Sequence, residues 1–485
     1  MNFAEYLTNF LAENDLSTSQ AAKKIGIDRT LLFRYTTGKR TPQSEVQVAQ
    51  IADRLCMSPK EKDELIDCFD RHIFGDELVS SYHYVNRLMQ ILSNAGMFNN
   101  QDAPHLTNES YSNDYILSKN SVYLTSPTAI ESCAFHIFQT GKSIDGSGCV
   151  KIIMQPAYRQ IEQMLTTLFS GSDTKIEQII CLEKTIEKGY TNLDILKELI
   201  TPIFCLNDIN VYYHYDLIKS HMNKTRLSPN MILTDNYVLL FDFDMQNGYF
   251  SQDTELIKCL DNKFNEIKSL CSQLIEKGTY ANIVRENNMV IKTNRLDTFF
   301  NQPCVVPCFG SKTLDELIVN FPLKQMLIDS LIAVHGDWNG LEHTEPFSYS
   351  NCYCTKEGII EIFRTSKLDE FPVEFYLPFT KEMKITVLER MIYLHKNNYH
   401  VYKVLKNKMN LSNMIQIYCN SDERSVTFRY TERASMMQIQ IPETSVYNTF
   451  NNYMDYIEKK GLCMPHEETL DLLYDILDKV KNDTL

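Results

Sequence analysis

The sequence predicts a multidomain protein in which an all-α N-terminal domain is followed by α/β (α+β) domains. Three observations predict this fold class. The chain has 485 residues, which at roughly 100–200 residues per domain suggests about three domains. Its first 75 residues contain short amphipathic stretches separated by glycines and capping side chains. From about residue 116 onward, strand-like and helix-like stretches alternate.

The N-terminus and the cysteines bear on the cellular compartment. Residues 1–14 lack the basic start, the long apolar core and the cleavage site of a secretory signal. No run of about 18 apolar residues occurs, so we expect no membrane span. The 14 cysteines are scattered between Cys56 and Cys463, as is typical of reduced thiols. The sequence therefore predicts a cytoplasmic protein without membrane contact.

The charge distribution indicates one local contact with a polyanion. The net charge of the whole chain is −14, which by itself argues against a nucleic-acid-binding protein. Residues 20–45, however, contain six basic and two acidic side chains, whereas residues 58–485 contain 41 basic and 56 acidic ones. A small cationic patch on an acidic chain predicts local binding to phosphates and weak non-specific binding elsewhere.

Five short helices are predicted in residues 1–75. The first has apolar residues at helical spacing from Phe3 to Leu11. The second to fifth helices begin at residues that favour helix N-termini, which are Ser17-Thr18-Ser19, Asp28, Ser44 and Ser58-Pro59. Gly26 and Gly38 end the second and third helices. The tight glycine turn between the second and third helices predicts a compact helix-turn-helix bundle.

The stretch SQAAKKIGIDRTLLFRYTTGKRTPQSEVQVAQIADRL resembles the Cro/repressor class of helix-turn-helix domains, the XRE family. The matching features are Ala22, the turn Ile25-Gly26-Ile27, the pair Arg34-Tyr35, and Gly38-Lys39-Arg40 followed by Pro42. In that family the third helix lies in the major groove of double-stranded DNA. The resemblance covers about 60 of the 485 residues.

The resemblance implies a set of contacts with an operator. According to the resemblance, bases would be read by Arg29, Thr30 and Arg34. Phosphates would be bound by Thr18, Lys39 and Arg40. It also implies a homodimer, because one short recognition helix reads too few base pairs alone.

Two positions of the third helix depart from the family pattern. Leu31 and Phe33 stand where the family more often has polar residues. Two interpretations are open: these side chains pack on thymine methyl groups, or one of them belongs to the core. Bundles of this kind also serve as protein-interaction modules, and the basic residues retained at the contact positions argue against that alternative.

The sequence after residue 75 predicts a connector and two α/β domains. We expect the helix-turn-helix domain over 1–75, a helical connector and linker over 76–115, a first α/β sensor domain over 116–280, and a second α/β sensor or dimerisation domain over 281–485. The strand Val150–Met154 followed by a helix, and the predicted strand Val373–Leu377 followed by a helix, each begin a similar series. A long helix is predicted over Glu255–Ile275. The two series favour a duplicated unit.

The stretch NMILTDNYVLLFDFDMQNGYFSQDTELIKCLDNKFNEIKSL is similar to the end of phospholipase-D-like ligand-sensing domains of some regulators. The catalytic His-x-Lys signature of that family is absent, because neither His221-Met-Asn223 nor His400-Val-Tyr402 has the lysine. The resemblance therefore implies a binding domain, and we expect no enzymatic activity and no catalytic residue.

Two other clusters carry candidate chemistry. Cys304 and Cys308 with Cys352 and Cys354 could supply four thiolates to zinc, but the usual two-residue spacing is missing, which favours unligated thiols. The run His335–His343 gathers two histidines, an aspartate and a glutamate, and a polar turn at a helix end is the plainer interpretation. We therefore expect no metal and no cofactor.

These observations favour a sequence-specific DNA-binding transcriptional regulator. Its C-terminal region would bind a small-molecule or peptide effector and form the dimer. Two alternatives come from other classes: an enzyme that carries an autoregulatory DNA-binding domain, and a scaffold for protein interaction or a defence system.

Overall fold

The computed structural model describes residues 1–95, 119–141, 148–183, 190–216, 229–279, 294–321, 323–339, 342–343, 349–432 and 435–485. These residues form two compact units. Unit 1 comprises Met1–Asn86 and Thr449–Leu462, and unit 2 comprises Arg87–Asn448 and Cys463–Leu485. Unit 1 is helical and unit 2 combines helices with strands, so the predicted fold class is confirmed. The domain boundaries at residues 75, 115 and 280 stay predictions.

The helices are numbered along the chain. They are α1 (Phe3–Glu13), α2 (Thr18–Ile25), α3 (Arg29–Thr36), α4 (Glu45–Arg54), α5 (Pro59–Phe74), α6 (Asp76–Ala95), α7 (Pro127–Gly141), α8 (Arg159–Phe169), α9 (Tyr190–Cys205), α10 (Thr254–Ser269), α11 (Ser311–Leu317), α12 (Lys324–His335), α13 (Lys356–Thr365), α14 (Lys381–Lys396), α15 (Thr444–Lys459) and α16 (His466–Lys481). The five helices predicted for residues 1–75 are confirmed. The polar part of the predicted linker, from residue 96 to 115, lies outside the described residues.

The capping residues predicted for α2 to α5 are confirmed. Each cap accepts a hydrogen bond from a backbone N–H of the first turn, and the pairs are Ser17 with Gln20, Asp28 with Thr30, Ser44 with Gln47, and Ser58 with Glu61. The apolar faces of the five helices meet in one core. In α2 the small Ala21 and Ala22 are buried, which allows close approach of the neighbouring helices.

Unit 1 also contains a segment from the far end of the chain, Thr449–Leu462. Within this segment the Tyr456 hydroxyl donates to the Asp70 carboxylate of α5 at 2.7 Å, and the Lys460 ammonium pairs with the same carboxylate. Lys460 also lies 3.3 Å from the Glu45 carboxylate of α4. The Asp70 side chain is only 4% exposed, so its charge depends on these partners.

Aromatic rings line the same contact. The Tyr82 ring of α6 lies 4.7 Å from the Tyr456 ring and stacks on the Tyr453 ring at 5.6 Å. Phe74 at the end of α5 meets Tyr456 edge-on at 5.4 Å. The N-terminal sequence pattern does not predict this segment, which is separated from α5 by more than 370 residues.

The strands of unit 2 form one large sheet and one small hairpin. They are β1 (Ser121–Leu124), β2 (Cys149–Ile153), β3 (Lys175–Leu182), β4 (Ile209–Tyr215), β5 (Asn230–Leu233), β6 (Val238–Phe241), β7 (Gly248–Ser251), β8 (Ser272–Thr279), β9 (Arg295–Phe299), β10 (Trp338–Asn339), β11 (Glu342–His343), β12 (Tyr349–Thr355), β13 (His400–Leu405), β14 (Ile415–Asn420), β15 (Ser425–Glu432) and β16 (Ser435–Ile441).

The large sheet shows that the α/β unit is duplicated. Its strand order is β1-β7-β6-β5-β2-β3-β4-β8-β16-β15-β14-β9-β12-β13. The six strands β7-β6-β5-β2-β3-β4 of the first copy therefore correspond, in the same order, to β16-β15-β14-β9-β12-β13 of the second copy. In both copies the last three strands are parallel and the other three form an antiparallel meander. Strand β8 pairs with β4 on one side and β16 on the other, and so joins the two copies.

In unit 2, one predicted helix ends earlier than expected and one predicted strand is wrong. The helix predicted over Glu255–Ile275 ends at Ser269, and β8 follows, because pairing with two strands outweighs the helical pattern. The predicted strand Val373–Leu377 contains a short 3₁₀ helix instead, since the flanking prolines cannot donate to a sheet ladder. The second copy begins earlier, at β9.

Helix α16, at the C-terminal end of the described residues, packs on the core of unit 2. Its Leu473 and Ile476 are fully buried there, in the same apolar cluster as Val387 and Met391 of α14. At the surface, the Lys481 ammonium of α16 lies 3.0 Å from the Glu389 carboxylate of α14.

The four cysteines considered for zinc belong to the apolar core of the second copy. The Cys352 sulfur accepts the Cys304 N–H at 3.3 Å, and the Cys308 sulfur lies 3.5 Å from the Tyr402 hydroxyl. Burial raises the pKa of the Cys308 thiol to about 12. Among the described residues, no group of three or more His, Cys, Asp or Glu side chains could hold a metal ion.

Asp337, in the candidate cluster 335–343, has a structural role. Its carboxylate accepts the N–H and the hydroxyl of Ser311, each at 2.8 Å, and thereby fixes the start of α11. It also accepts the Trp338 N–H. The side chains of Glu342 and His343 lie outside the described part, as do residues 221–223, whereas His400 is buried at the start of β13.

A buried carboxyl group in the first copy should make stability depend on pH. Glu162 on α8 accepts one hydrogen bond from the Gln178 amide at 3.0 Å, and its Oε2 has no partner among the described residues. Burial raises its pKa to about 7, against the opposing effect of the Gln178 hydrogen bond. Between the ordinary glutamate pKa of 4.5 and this value, the folded chain binds more protons than the unfolded chain. The contribution of Glu162 to stability is therefore fully present below pH 4.5, falls through this window and is level above it.

We expect Glu162→Gln to raise the melting temperature at pH 8 relative to the wild type, and to give a smaller gain at pH 5. The glutamine cannot ionise, so the free-energy cost of burying a charge, which is largest at pH 8, is absent in the variant. Thermal unfolding of both proteins at the two pH values measures this difference. Glu266→Gln, at a position with 65% side-chain exposure on α10, is the control. An equal gain at both pH values would contradict the prediction.

Candidate nucleic-acid interface

The turn between α2 and α3 sets the geometry of the candidate interface. Ser17 and Gln20 form a capping box at the start of α2. Gly26 ends that helix in the left-handed conformation, with φ of 80°, and its N–H donates to the Ala22 carbonyl at 2.9 Å. Two residues later Asp28 begins the next helix by accepting the Thr30 N–H at 2.7 Å. The connection is therefore short and fixed at both ends.

Helix α3 presents one polar face to solvent and one apolar face to the core. Leu32 and Tyr35 are buried. The exposed residues follow helical spacing and are Arg29, Thr30, Phe33, Arg34 and Thr37. We call these five residues the reading surface. All three residues predicted to read bases, Arg29, Thr30 and Arg34, thus lie on one accessible face.

The residues predicted to bind phosphates lie at two ends of this motif. Thr18 is the first residue of α2 and is half-buried. Lys39 and Arg40 are exposed in the loop after α3, where Gly38 adopts a φ of 70°. The Arg40 N–H donates to the Arg34 carbonyl at 3.1 Å, so the loop folds back on the end of α3. Backbone and side-chain donors placed in this way suit phosphate oxygens.

The cations of this motif are available for an external anion. No ion pair joins Arg29, Arg34, Lys39 or Arg40 to a carboxylate of the described residues. The nearest acidic group in sequence, Asp28, is engaged as the cap of α3. Its pKa is lowered by the hydrogen bonds from Thr30 and also by the charge of Arg34. A helix face with two unpaired arginines and a capped start matches the requirements of base-edge recognition.

The structure distinguishes Leu31 from Phe33 by their burial. Leu31 is half-buried and packs against the core of unit 1. Phe33 is 51% exposed and lies on the reading surface. The sequence alone does not show which of the two side chains is buried, because both are apolar and both lie within one turn of an arginine.

No protein family model matches this chain, and no curated protein matches it. Three solved structures that match share about a tenth of their residues with this chain. TrmBL2, an archaeal chromatin protein with a novel mode of DNA binding, is 9% identical with a TM-score of 0.23, over 44% of this chain and 70% of that chain.

The other two matches are enzymes. Phosphatidylserine synthase from Haemophilus influenzae is 10% identical with a TM-score of 0.20, over 75% of this chain and 94% of that chain. Polyphosphate kinase from Porphyromonas gingivalis is 10% identical with a TM-score of 0.24, over 73% of this chain and 51% of that chain. Scores this low carry no argument about what this chain does.

One expectation from the sequence does not stand. The absence of a His-x-Lys signature led to the prediction that the chain is not an enzyme, and that signature is too narrow a basis for this prediction. The physical reason is that the missing signature excludes one reaction mechanism in one family, whereas an α/β scaffold can carry many others. In the described residues, no helix is both long and apolar enough to cross a bilayer.

Proposed function

We propose that this chain is a sequence-specific DNA-binding regulator of the Cro/repressor type. In this proposal α3 enters the major groove, Arg29, Thr30 and Arg34 read base edges, and Thr18, Lys39 and Arg40 hold phosphates. The observation that carries the proposal is the reading surface, on which two arginines are exposed without a described acidic partner. Arginine can pair in a bidentate manner with guanine O6 and N7.

The proposal extends to the assembly and to unit 2. One recognition helix contacts only a few base pairs, so two copies are needed for a selective site, and we propose a cytoplasmic homodimer. Unit 2 would bind a small-molecule or peptide effector, or carry out a reaction on it. DNA docking by α3 is the same in both cases, so the proposal for unit 1 holds whether or not unit 2 is an enzyme.

The test uses the full chain and a random-sequence duplex library. Repeated selection followed by sequencing gives the preferred site, and fluorescence anisotropy gives the affinity for that site and for a scrambled duplex. We expect Arg34→Ala to weaken binding by about 10- to 100-fold for each half-site and to relax selectivity at one base pair of each half-site, since one bidentate contact contributes about 1–3 kcal/mol. Arg54→Ala is the control, because Arg54 is an exposed cation on α4.

A second variant distinguishes phosphate contacts, which position α3 on the DNA, from base contacts, which determine sequence preference. Lys39→Ala should weaken binding to all duplexes alike and reduce the slope of log affinity against log salt by about one. Failure to select any site, or equal effects of Arg34→Ala and Arg54→Ala, would overturn the proposal and favour a protein-binding bundle.

A further inference from the structure

The proposed function assigns no contact to Phe33, the aromatic residue of the reading surface. Phe33 is 51% exposed, although an aromatic ring gains more than most side chains from burial. It follows Arg29 by four positions and Thr30 by three, so the three side chains project from the same side of α3. Arg34 is its neighbour in sequence and is also exposed. An apolar ring therefore lies among the groups proposed to face the bases.

The backbone that carries Phe33 is firmly held. Its carbonyl accepts the Thr37 N–H at 3.0 Å, the Thr37 hydroxyl at 2.7 Å and the Thr36 hydroxyl at 3.2 Å. One residue earlier, Leu32 is fully buried and anchors the helix to the core. The backbone position of Phe33 is therefore fixed, and helix geometry sets the position of its side chain relative to the two arginines.

Among the groups exposed in the major groove, the thymine C5-methyl is the apolar one. Base edges otherwise present hydrogen-bond donors and acceptors there, which suit arginine and threonine but not a phenyl ring. We propose that Phe33 is a specificity-determining residue that packs on a thymine methyl group in the site read by α3. This inference rests on the proposed function and adds to it the requirement for a thymine at one position.

The test removes the methyl group from the DNA and the ring from the protein. Each thymine of the selected site is replaced in turn by uracil, which changes only the C5 substituent. Binding of the full-length wild type is expected to weaken by about four-fold at one position, the change that corresponds to one buried methyl group. Phe33→Ala should bind the thymine and uracil duplexes equally, whereas Phe33→Leu should keep part of the difference.

The control variant is Ile73→Ala, because Ile73 on α5 is also 51% exposed but lies outside the reading surface. It should keep the full four-fold difference. Thermal unfolding of the variants checks that they remain folded, as expected for exposed positions. Selective binding by the wild type without any uracil effect would overturn this inference alone, and so would an unchanged uracil effect in Phe33→Ala. The absence of selective binding would overturn the proposed function together with it.

Discussion

Replacing Lys460 with methionine is expected to destabilise unit 1 by about 3–5 kcal/mol, the range for removing one partner of a buried ion pair. The Asp70 carboxylate is 4% exposed and the Lys460 side chain 16% exposed, so water cannot replace the lost ammonium. Methionine keeps the length and apolar character of the lysine stem, and the change therefore tests the charge. Among the described residues, only the Tyr456 hydroxyl, at 2.7 Å, would still hold the carboxylate.

Hydrogen exchange of the backbone of α5 in the full-length protein measures this effect, because it reports on unit 1 without requiring two-state unfolding of the whole chain. Lys459→Met is the matched control. Lys459 is the preceding residue, is 57% exposed and lies 3.8 Å from Asp455, so its loss should change stability by about 0–1 kcal/mol. The double variant Asp70→Asn/Lys460→Met should recover part of the loss, since no unpaired charge remains. Equal exchange rates in the two single variants would show that the buried pair does not stabilise unit 1.

Gly358→Ala should be the most damaging single-methyl change in unit 2. Gly358 lies in the first turn of α13, where a Cβ atom would be 1.8 Å from the Asn301 carbonyl oxygen, 2.5 Å from its carbon and 2.9 Å from the Gln302 Cα. These are backbone atoms. The Asn301 carbonyl also accepts the Thr355 N–H at 3.1 Å and the Thr355 hydroxyl at 2.9 Å, so it cannot move without breaking both bonds. We expect a loss on the order of 3 kcal/mol or more, at or above the usual cost of overpacking.

Gly171→Ala is the comparison for this prediction. Gly171 adopts a φ of 71°, but no atom lies within 4 Å of its would-be Cβ. The left-handed backbone alone should cost about 1–2 kcal/mol there. Chemical denaturation of both variants, followed by hydrogen exchange of β12 and β3, compares the two costs. A Gly358→Ala protein as stable as Gly171→Ala would mean that α13 can shift away from Asn301 at little cost.

Local chemistry made the N-terminal bundle predictable. Each of its helices begins at a capping side chain, and the stop at Gly26 needs only a residue that tolerates positive φ. These signals act within a few residues, so a single sequence contains them. The same is true of the exposed cations, because a helical pattern with Leu32 and Tyr35 on one face leaves Arg29 and Arg34 on the other.

The helix-turn-helix bundle, the alternation of strands and helices that follows it, and the residues proposed to contact DNA could all be predicted from the amino-acid sequence. The folded structure was needed to show that Tyr456 and Lys460 complete the N-terminal unit, that β8 is a strand joining two copies of one α/β unit, and that Phe33 rather than Leu31 faces solvent. The physical reason is distance along the chain. Caps, turns and amphipathic periods are encoded within a few residues, whereas strand pairing, a buried ion pair and the choice between two apolar neighbours depend on groups that only folding brings together.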